Sequence, residues 1–350
     1  MKDLDTQLLV EIIGMPNIAS ACSNGLSEAT LMRLFPLAIK NKVPILFLEK
    51  ALKLHAESEY LQTTYEIYSK RAAVARNLIK RVFEVLNNAH LDFAVFKTVK
   101  PFPSFGADVD VILFSREDFM QALNSLRRNG CELAGYGAFS ATLYSAPHVM
   151  NVDLHLQISV SRLVYLDTKL LREHITGIIV DDVQVPVLDG PASLITYSAH
   201  SIYKEQILTY SDFYIIVFEI LQMDKRKLEI TANLANELHA GLCTKTTLLL
   251  ADNLIRSILN RSVPEIIRAA EMIKVSEIEK RVIHYLTSNL EQSTKLPYSY
   301  PPSAVAAAFA SKVFSDPIMR GSVADQSFEA ITNLPYFLKN VLLHMKGEAE

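Results

Sequence analysis

At 350 residues, 50% of them hydrophobic, the chain has material for two or three domains with ample cores, which excludes a disordered or fibrous protein. A formal net charge of −3 argues against a generally basic nucleic-acid coat and leaves room only for a local basic patch. Apolar runs such as VPILFL and FYIIVFEIL fall short of the roughly 18 to 20 residues of a membrane span, and the N-terminus MKDLDTQLLVEI carries acids where a signal peptide carries bases, so the expectation is a cytoplasmic protein without a membrane partner. Cys22, Cys131 and Cys243 are widely spaced and odd in number; they suggest neither a disulfide framework nor a zinc site and read as reduced and structural.

Residues 1 to about 65 show helical periodicity without strand alternation, with Ser27 and Thr30 a partial capping signal. In SKRAAVARNLIKRVFEVL, Lys70, Arg71, Arg76, Lys80 and Arg81 surround an apolar stripe of Val74, Leu78, Val82 and Leu86, which predicts an amphipathic helix with a basic outer face. Such a face ordinarily means a solvated surface; an RNA-facing surface is the alternative. LDFAVFK then reads as a strand, KPFPSFGA as a loop and DVDVILF as a second strand. Ser115 is the expected N-cap of the helix REDFMQALNSLRRNG, with Glu117 and Asp118 in its first turn and Gly130 closing it.

Three more strands are expected in CELAGYG, FSATLYSA and HVMNVDLHLQIS, the last with Val152, Leu154 and Leu156 on one face and Asp153 and His155 on the other. After a linking helix around LDTKLLREHI, IIVDDVQVPVLDG reads as a hairpin, and from Pro191 the pattern is helical, interrupted by LPYSYPPS near residue 300. There is no internal repeat. The expected class is α+β: a helical N-terminal region over residues 1–65, a mixed-sheet unit over 66–187 and a helical C-terminal domain over 188–350.

The chemistry concentrates in the second strand. Alternate side chains share a face, so Asp108, Asp110 and Ile112 point one way while Val109, Val111 and Leu113 point the other. Two carboxylates that close raise each other's pKa unless something positive intervenes, commonly a bound cation. Asp153, on a later strand, completes a set of three acids suited to a hard divalent cation that also takes substrate phosphate oxygens. Two such ions would clamp the attacking and leaving oxygens of an in-line phosphoryl transfer. The plain alternative is that these acids cap strand ends or pair with Lys and Arg.

The series FAVFK, loop, DVDVIL, helix, VDLHLQIS resembles the nucleotidyltransferase superfamily typified by DNA polymerase beta, and within it a family with a Lys after the first strand, an Asp-hydrophobic-Asp strand and a later Asp-Leu-His. The resemblance spans about residues 30–215 and includes ASLITYSAHSIYKEQILTYSDFY, similar to the family's downstream His and Lys helix followed by an Asp. It implies that Asp108, Asp110 and Asp153 are catalytic and hold Mg2+, or Mn2+ in its place, and that Lys204 and Lys97 contact nucleotide phosphates. Asp212 joins the nucleotide-binding candidates, although an acid there also suits a helix N-terminus. The superfamily pattern usually opens with Gly-Ser and often carries an Arg before the first Asp. Here the loop reads PSFGAD, with Ser104 and Gly106 separated by Phe105, so backbone N–H groups near Gly106 would approach phosphate while the Ser hydroxyl contact is displaced.

The implied activity is magnesium-dependent transfer of a nucleoside monophosphate from an NTP, such as ATP, to an acceptor hydroxyl with release of pyrophosphate. The acceptor stays open: the 3′ end of an RNA such as tRNA, a protein, or a small molecule. A module of the same fold that binds without transfer is the rival reading, and a structural cation-binding protein is a third. His200 and Lys204, four apart on one helix, should share a face, and His155 would orient Asp153 or sit hydrogen-bonded and half-buried. Tyr197, Tyr203 and Tyr210 would stack a base or fill core.

Overall fold

The computed structural model describes residues 3–16, 25–104, 106, 108–145, 150–292 and 295–324; Cys22 and Phe105 lie outside them. Three helices lead in: α1 (Leu4–Ile13), α2 (Glu28–Lys40) and α3 (Pro44–Leu54). Ser27 is indeed the N-cap of α2, its hydroxyl accepting from the Thr30 N–H. The basic helix is longer than its sequence signal, running as α4 over Glu59–Asn88. Leu61 is buried near its start, and the stripe further along is formed by Ala75, Leu78, Val82, Phe83 and Leu86, whereas Val74 is 48% exposed, a correction of one position to the expected stripe.

The sheet-forming stretch comes next, with β1 (Phe93–Val95), β2 (Asp108–Leu113), α5 (Arg116–Arg128), β3 (Cys131–Tyr136), β4 (Ser140–Ser145) and β5 (Asn151–His155). Ser115 caps α5 by accepting from the Asp118 N–H at 3.0 Å. The expected long strand ends early, at His155. There the chain turns, held by the Leu156 N–H on Phe139 O at 2.8 Å and Thr168 Oγ1 on Leu156 O at 2.9 Å. Beyond the turn lies a separate hairpin, β6 (Ile158–Val160) and β7 (Leu163–Leu166), closed by Ser161 and Arg162 with φ of 46° and 69°. Short α6 (Thr168–Leu171) leads to β8 (Ile175–Val180) and β9 (Val183–Leu188), joined through Asp181 and Asp182, again both at positive φ. Two-residue turns of this hand match the right-handed twist of paired strands.

Helices complete the chain: α7 (Gly190–His200), α8 (Tyr210–Leu221), α9 (Lys225–Glu237), α10 (Gly241–Leu259), α11 (Pro264–Met272), α12 (Glu277–Gln292), α13 (Pro302–Ser315) and α14 (Pro317–Ala324). A π-helical turn, Ser201–Glu205, extends α7, and the short strands β10 (Ile207–Leu208) and β11 (Tyr298–Ser299) pair with each other. The fold is α+β. No described helix is long and apolar enough to cross a membrane.

The seven-stranded sheet has the order β3-β4-β5-β2-β1-β9-β8 and is mixed. β2 runs parallel to β5 and β1 parallel to β9, while the remaining neighbours are antiparallel. Alternation along β2 divides two cores. Val109, Val111 and Leu113 pack with Phe83 of α4 and Phe119 and Leu123 of α5, whereas Ile112 joins the larger cluster formed with the helices before and after the sheet. Asp108 and Asp110 share the Ile112 face, so the acids stand where the sheet meets the helical mass. Two residues of the basic face of α4 meet the β8–β9 turn: Arg76 lies 3.7 Å from Asp181 and Lys80 2.6 Å from Asp182.

Candidate active site

Parallel pairing of β2 with β5 sets Asp110 directly opposite Asp153, Asp108 opposite Asn151 and Ile112 opposite His155. Side chains opposite one another in a parallel pair share a face, so the acid pair and the Asp-Leu-His segment converge by register alone. Ligand atoms of Asp110, Asp153 and His155 lie within 4.8 Å of one another and could hold a metal ion. Asp108 stands outside that group, one pleat along the same face. His155, read from sequence as an orienting residue, is a third donor here; the cue was its place two residues after Asp153 on one strand face.

Each acid has a distinct setting. Asp110 is 8% exposed and receives His155 Nε2 at 3.2 Å on Oδ1 and Lys97 Nζ at 3.5 Å on Oδ2. Burial alone would favour the neutral acid, yet Lys97 and His155 hold the Asp110 carboxyl well below the usual carboxylate range. Asp108 is pushed the other way, by burial first and then by the carboxylates of Asp153 and Asp110. Asp153 accepts the Thr142 hydroxyl on Oδ1 at 2.6 Å, and among the described residues its Oδ2 takes no hydrogen bond.

Lys97 reaches Asp110 because the chain leaves β1 sharply. It adopts a left-handed φ of 59°, the Thr98 N–H closes a tight turn on Phe96 O at 2.8 Å, and Thr98 Oγ1 accepts the Asp110 N–H at 2.9 Å. Tyr197 OH donates to Lys97 O at 3.0 Å and fixes the turn against α7. His200 Nε2 lies 2.9 Å from Lys97 Nζ and 3.0 Å from Glu205 Oε1, with Tyr165 OH 3.0 Å from Nδ1. Burial, then the charge of Lys97, lowers the His200 pKa to about 3. The ring is therefore neutral, and Nε2 either accepts from Lys97 or donates to Glu205.

The expected pairing of His200 with Lys204 on one helix face does not form. The π turn widens the spiral so that residue 205, not 204, comes round to the histidine. Lys204 makes no hydrogen bond or ion pair among the described residues, although its charge acts on Asp108 and Asp110. No sequence signal announces the extra residue in that turn, which is why Glu205 is absent from the sequence-derived candidates.

His200 and Glu205 border a cavity of about 450 Å3 whose wall also includes Lys97, Ser104, Gly106, Asp108, Asp110 and Asp212, whereas Asp153, His155 and Lys204 are not part of that wall. Lys42, Arg71 and Lys100 add cations that sequence spacing could not place, because they come from the α2–α3 junction, α4 and the loop after β1. Lys100 is lowered to about 8 by burial, offset in part by Asp212. Lys42 is raised: burial opposes this, but Glu205 and Asp212 outweigh it. Asp212 closes a capping box on α8, its Oδ2 accepting the Thr209 N–H at 2.8 Å and the Thr209 hydroxyl at 2.7 Å. Tyr203 and Tyr210 are core residues, and Tyr197 is buried against the cavity wall.

No protein-family model matches the chain, and no curated protein matches it. Among solved structures it is similar to the crystal structure of an antigenic nucleotidyltransferase-like protein from Paracoccidioides brasiliensis, at 16% identity over 59% of this chain and 94% of that one, with a TM-score of 0.33. Similarity that low assigns nothing by itself, so the functional reading rests on the site.

Proposed function

We propose that the chain is a nucleotidyltransferase that transfers a nucleoside monophosphate from an NTP to an acceptor hydroxyl, with residues 66–187 as the catalytic unit. The observation that carries this is a single cavity joining both charge requirements of a metal–polyphosphate. Carboxylates of Asp108 and Asp110 stand on its wall with Asp153 alongside, and Lys42, Arg71, Lys97 and Lys100 supply positive charge around them. The carboxylates of Asp110 and Asp153 are oxygen donors of the kind that fits magnesium or manganese, with the His155 imidazole beside them and all three ligand atoms within 4.8 Å of one another. When bound, such an ion would polarise a phosphoryl oxygen and counter the charge of the leaving pyrophosphate. Asp110 and Asp153 would hold it, with Asp108 and His155 flanking.

The chain's own residues divide the remaining work. Lys97, Lys100 and Lys42 bind and orient the triphosphate; Ser104 and Gly106 border the place where its outer phosphates would rest. Asp153 has one oxygen fixed by Thr142, and Oδ2 is the atom that would take the acceptor hydroxyl's proton. A second reading, a module that binds nucleotide without transferring it, is favoured by one feature: both oxygens of Asp110 are already engaged, by Lys97 and His155.

The test pairs NTP calorimetry with transfer of α-labelled nucleotide into RNA, protein and small-molecule fractions. Binding should require magnesium, and Asp153→Asn, which removes one metal-holding carboxylate and the proton acceptor together, should lower transfer by about a hundredfold or more, a larger loss than that in NTP affinity. Magnesium-dependent binding with no label in any fraction would favour the non-transferring module. Equal affinity with a chelator present would overturn both readings.

A further inference from the structure

A second cavity, of about 320 Å3, lies across the Lys97–Pro101 segment from the first. Its wall is mostly apolar, with Val95, Val99, Val187 and Phe218, and at one end it carries Ser193, Thr196 and Glu219. Lys97 and Lys100 border both cavities, but their ammonium groups are engaged with Asp110, His200 and Ser211. The lining therefore differs from that of the candidate active site, where carboxylates and cations stand together: here the charged side chain that borders this cavity and not the first is Glu219.

Two polar groups at that end lack what burial normally requires. Thr196 is 1% exposed, and among the described residues its hydroxyl is the buried side-chain oxygen with no hydrogen-bond partner. In a helix interior a threonine hydroxyl usually returns to the carbonyl four residues back, and leaving a buried one unmatched costs about 1–3 kcal/mol. Glu219 accepts the Ser193 hydroxyl on Oε1 at 3.2 Å and forms no ion pair among the described residues. Gly190 leaves room for the other oxygen, since a Cβ there would lie 3.1 Å from Glu219 Oε2. Burial, opposed by the Ser193 hydrogen bond and assisted by nearby Asp189, raises the Glu219 pKa to about 7, with Lys227 acting weakly the other way.

We propose that this cavity binds a small primary amine with an apolar body, its ammonium held by Glu219 and the Thr196 hydroxyl and its hydrocarbon against Val95, Val187 and Phe218. An ammonium has three donors and a charge that complements the Glu219 carboxylate, so it can donate to the carboxylate and to an unmatched hydroxyl oxygen together; an alcohol lacks the charge and a carboxylate is repelled. The hydroxyl proton is then free to turn back to the helix. The volume is at the small end of the range for ligand cavities, which limits the body to a single ring or a short chain.

The probe is cyclohexylammonium chloride, titrated into the full chain by calorimetry and ligand-observed NMR, with cyclohexanol and cyclohexanecarboxylate as controls of the same shape. The amine should bind, the controls should bind at least about tenfold more weakly, and Glu219→Gln should weaken the amine by about tenfold or more. Thr196→Val separates a ligand-binding role from a structural one: removing an unmatched hydroxyl should raise Tm while weakening the amine. Magnesium-ATP should not displace the amine, because this mostly apolar cavity lacks the cluster of carboxylates and cations that borders the first. Amine affinity unchanged in both variants, a control that binds as tightly, or no amine binding to the wild type would each overturn the proposal.

Discussion

Glu219 accepts the Ser193 hydroxyl and forms no ion pair among the described residues, and that setting has a measurable signature apart from any ligand. Its pKa moves from 4.5 to about 7 on folding, because burial penalises the anion. For a group raised in this way stability is complete below the unfolded value and is lost as the pH climbs towards the folded one. The span is worth roughly 3 kcal/mol. Glu219→Gln should therefore match the wild type at pH 4.5, gain on it steadily up to about pH 7, and keep a constant advantage above that. Thermal melts of both proteins across that range check it; a constant difference at every pH would contradict a buried, uncompensated Glu219. At this scale the sequence was informative where chemistry is local. Asp108 and Asp110 could be placed on one face because a strand alternates whatever it pairs with, and Asp153 and His155 for the same reason. Glu219, Lys42 and Lys100 could not, since the cavities that give them meaning are assembled from separated parts of the chain.

At the scale of elements, capping chemistry was the most legible signal. Ser27 and Ser115 open α2 and α5 as expected, because a short side-chain oxygen before a helix has one favourable use, the orphan N–H groups of the first turn. Asp189 performs the same service for α7, accepting the Ala192 N–H at 3.0 Å, and also meets His174 Nδ1 at 3.1 Å. Asp189→Ala should destabilise the protein by about 1 kcal/mol, while Asp189→Asn, which keeps a capping oxygen, should cost less. Chemical denaturation of the two variants distinguishes them; equal losses would mean the ion pair, not the cap, is what matters. The β6–β7 hairpin and the π turn after His200 were not legible. The first hides because LHLQIS keeps its alternation through the break, which is made by Phe139 and Thr168 from outside the strand. The second is a matter of one added residue, invisible to a period of 3.6 over so short a stretch.

Across the whole molecule, the helices before the sheet and those after it share one buried cluster, from Leu9 and Phe47 to Phe213 and Leu254. Asn41, fully buried, joins the two: its side-chain oxygen accepts the Tyr210 N–H at 2.9 Å and its carbonyl the Ser211 N–H at 3.1 Å. Asn41→Ala would leave the Tyr210 N–H unpaired in the interior, a loss of about 1–3 kcal/mol. Because α8 begins there, NTP affinity should weaken along with Tm, as Asp212 and Lys100 lose their common support; unchanged values of both would remove Asn41 as the joint. The same long-range arrangement governs when the site comes into being during synthesis. The wall of the candidate-site cavity is drawn from Ile39 to Asp212, and both parallel pairings of the sheet, β2 with β5 and β1 with β9, wait for strands made later. A chain still on the ribosome with only β1 and β2 outside carries the acid pair with neither Asp153 nor His200 to meet it. Contacts closed over such distances are slow to form, so the candidate site stays incomplete until Asp212 has been made, and a nascent fragment ending before it lacks part of the cavity wall.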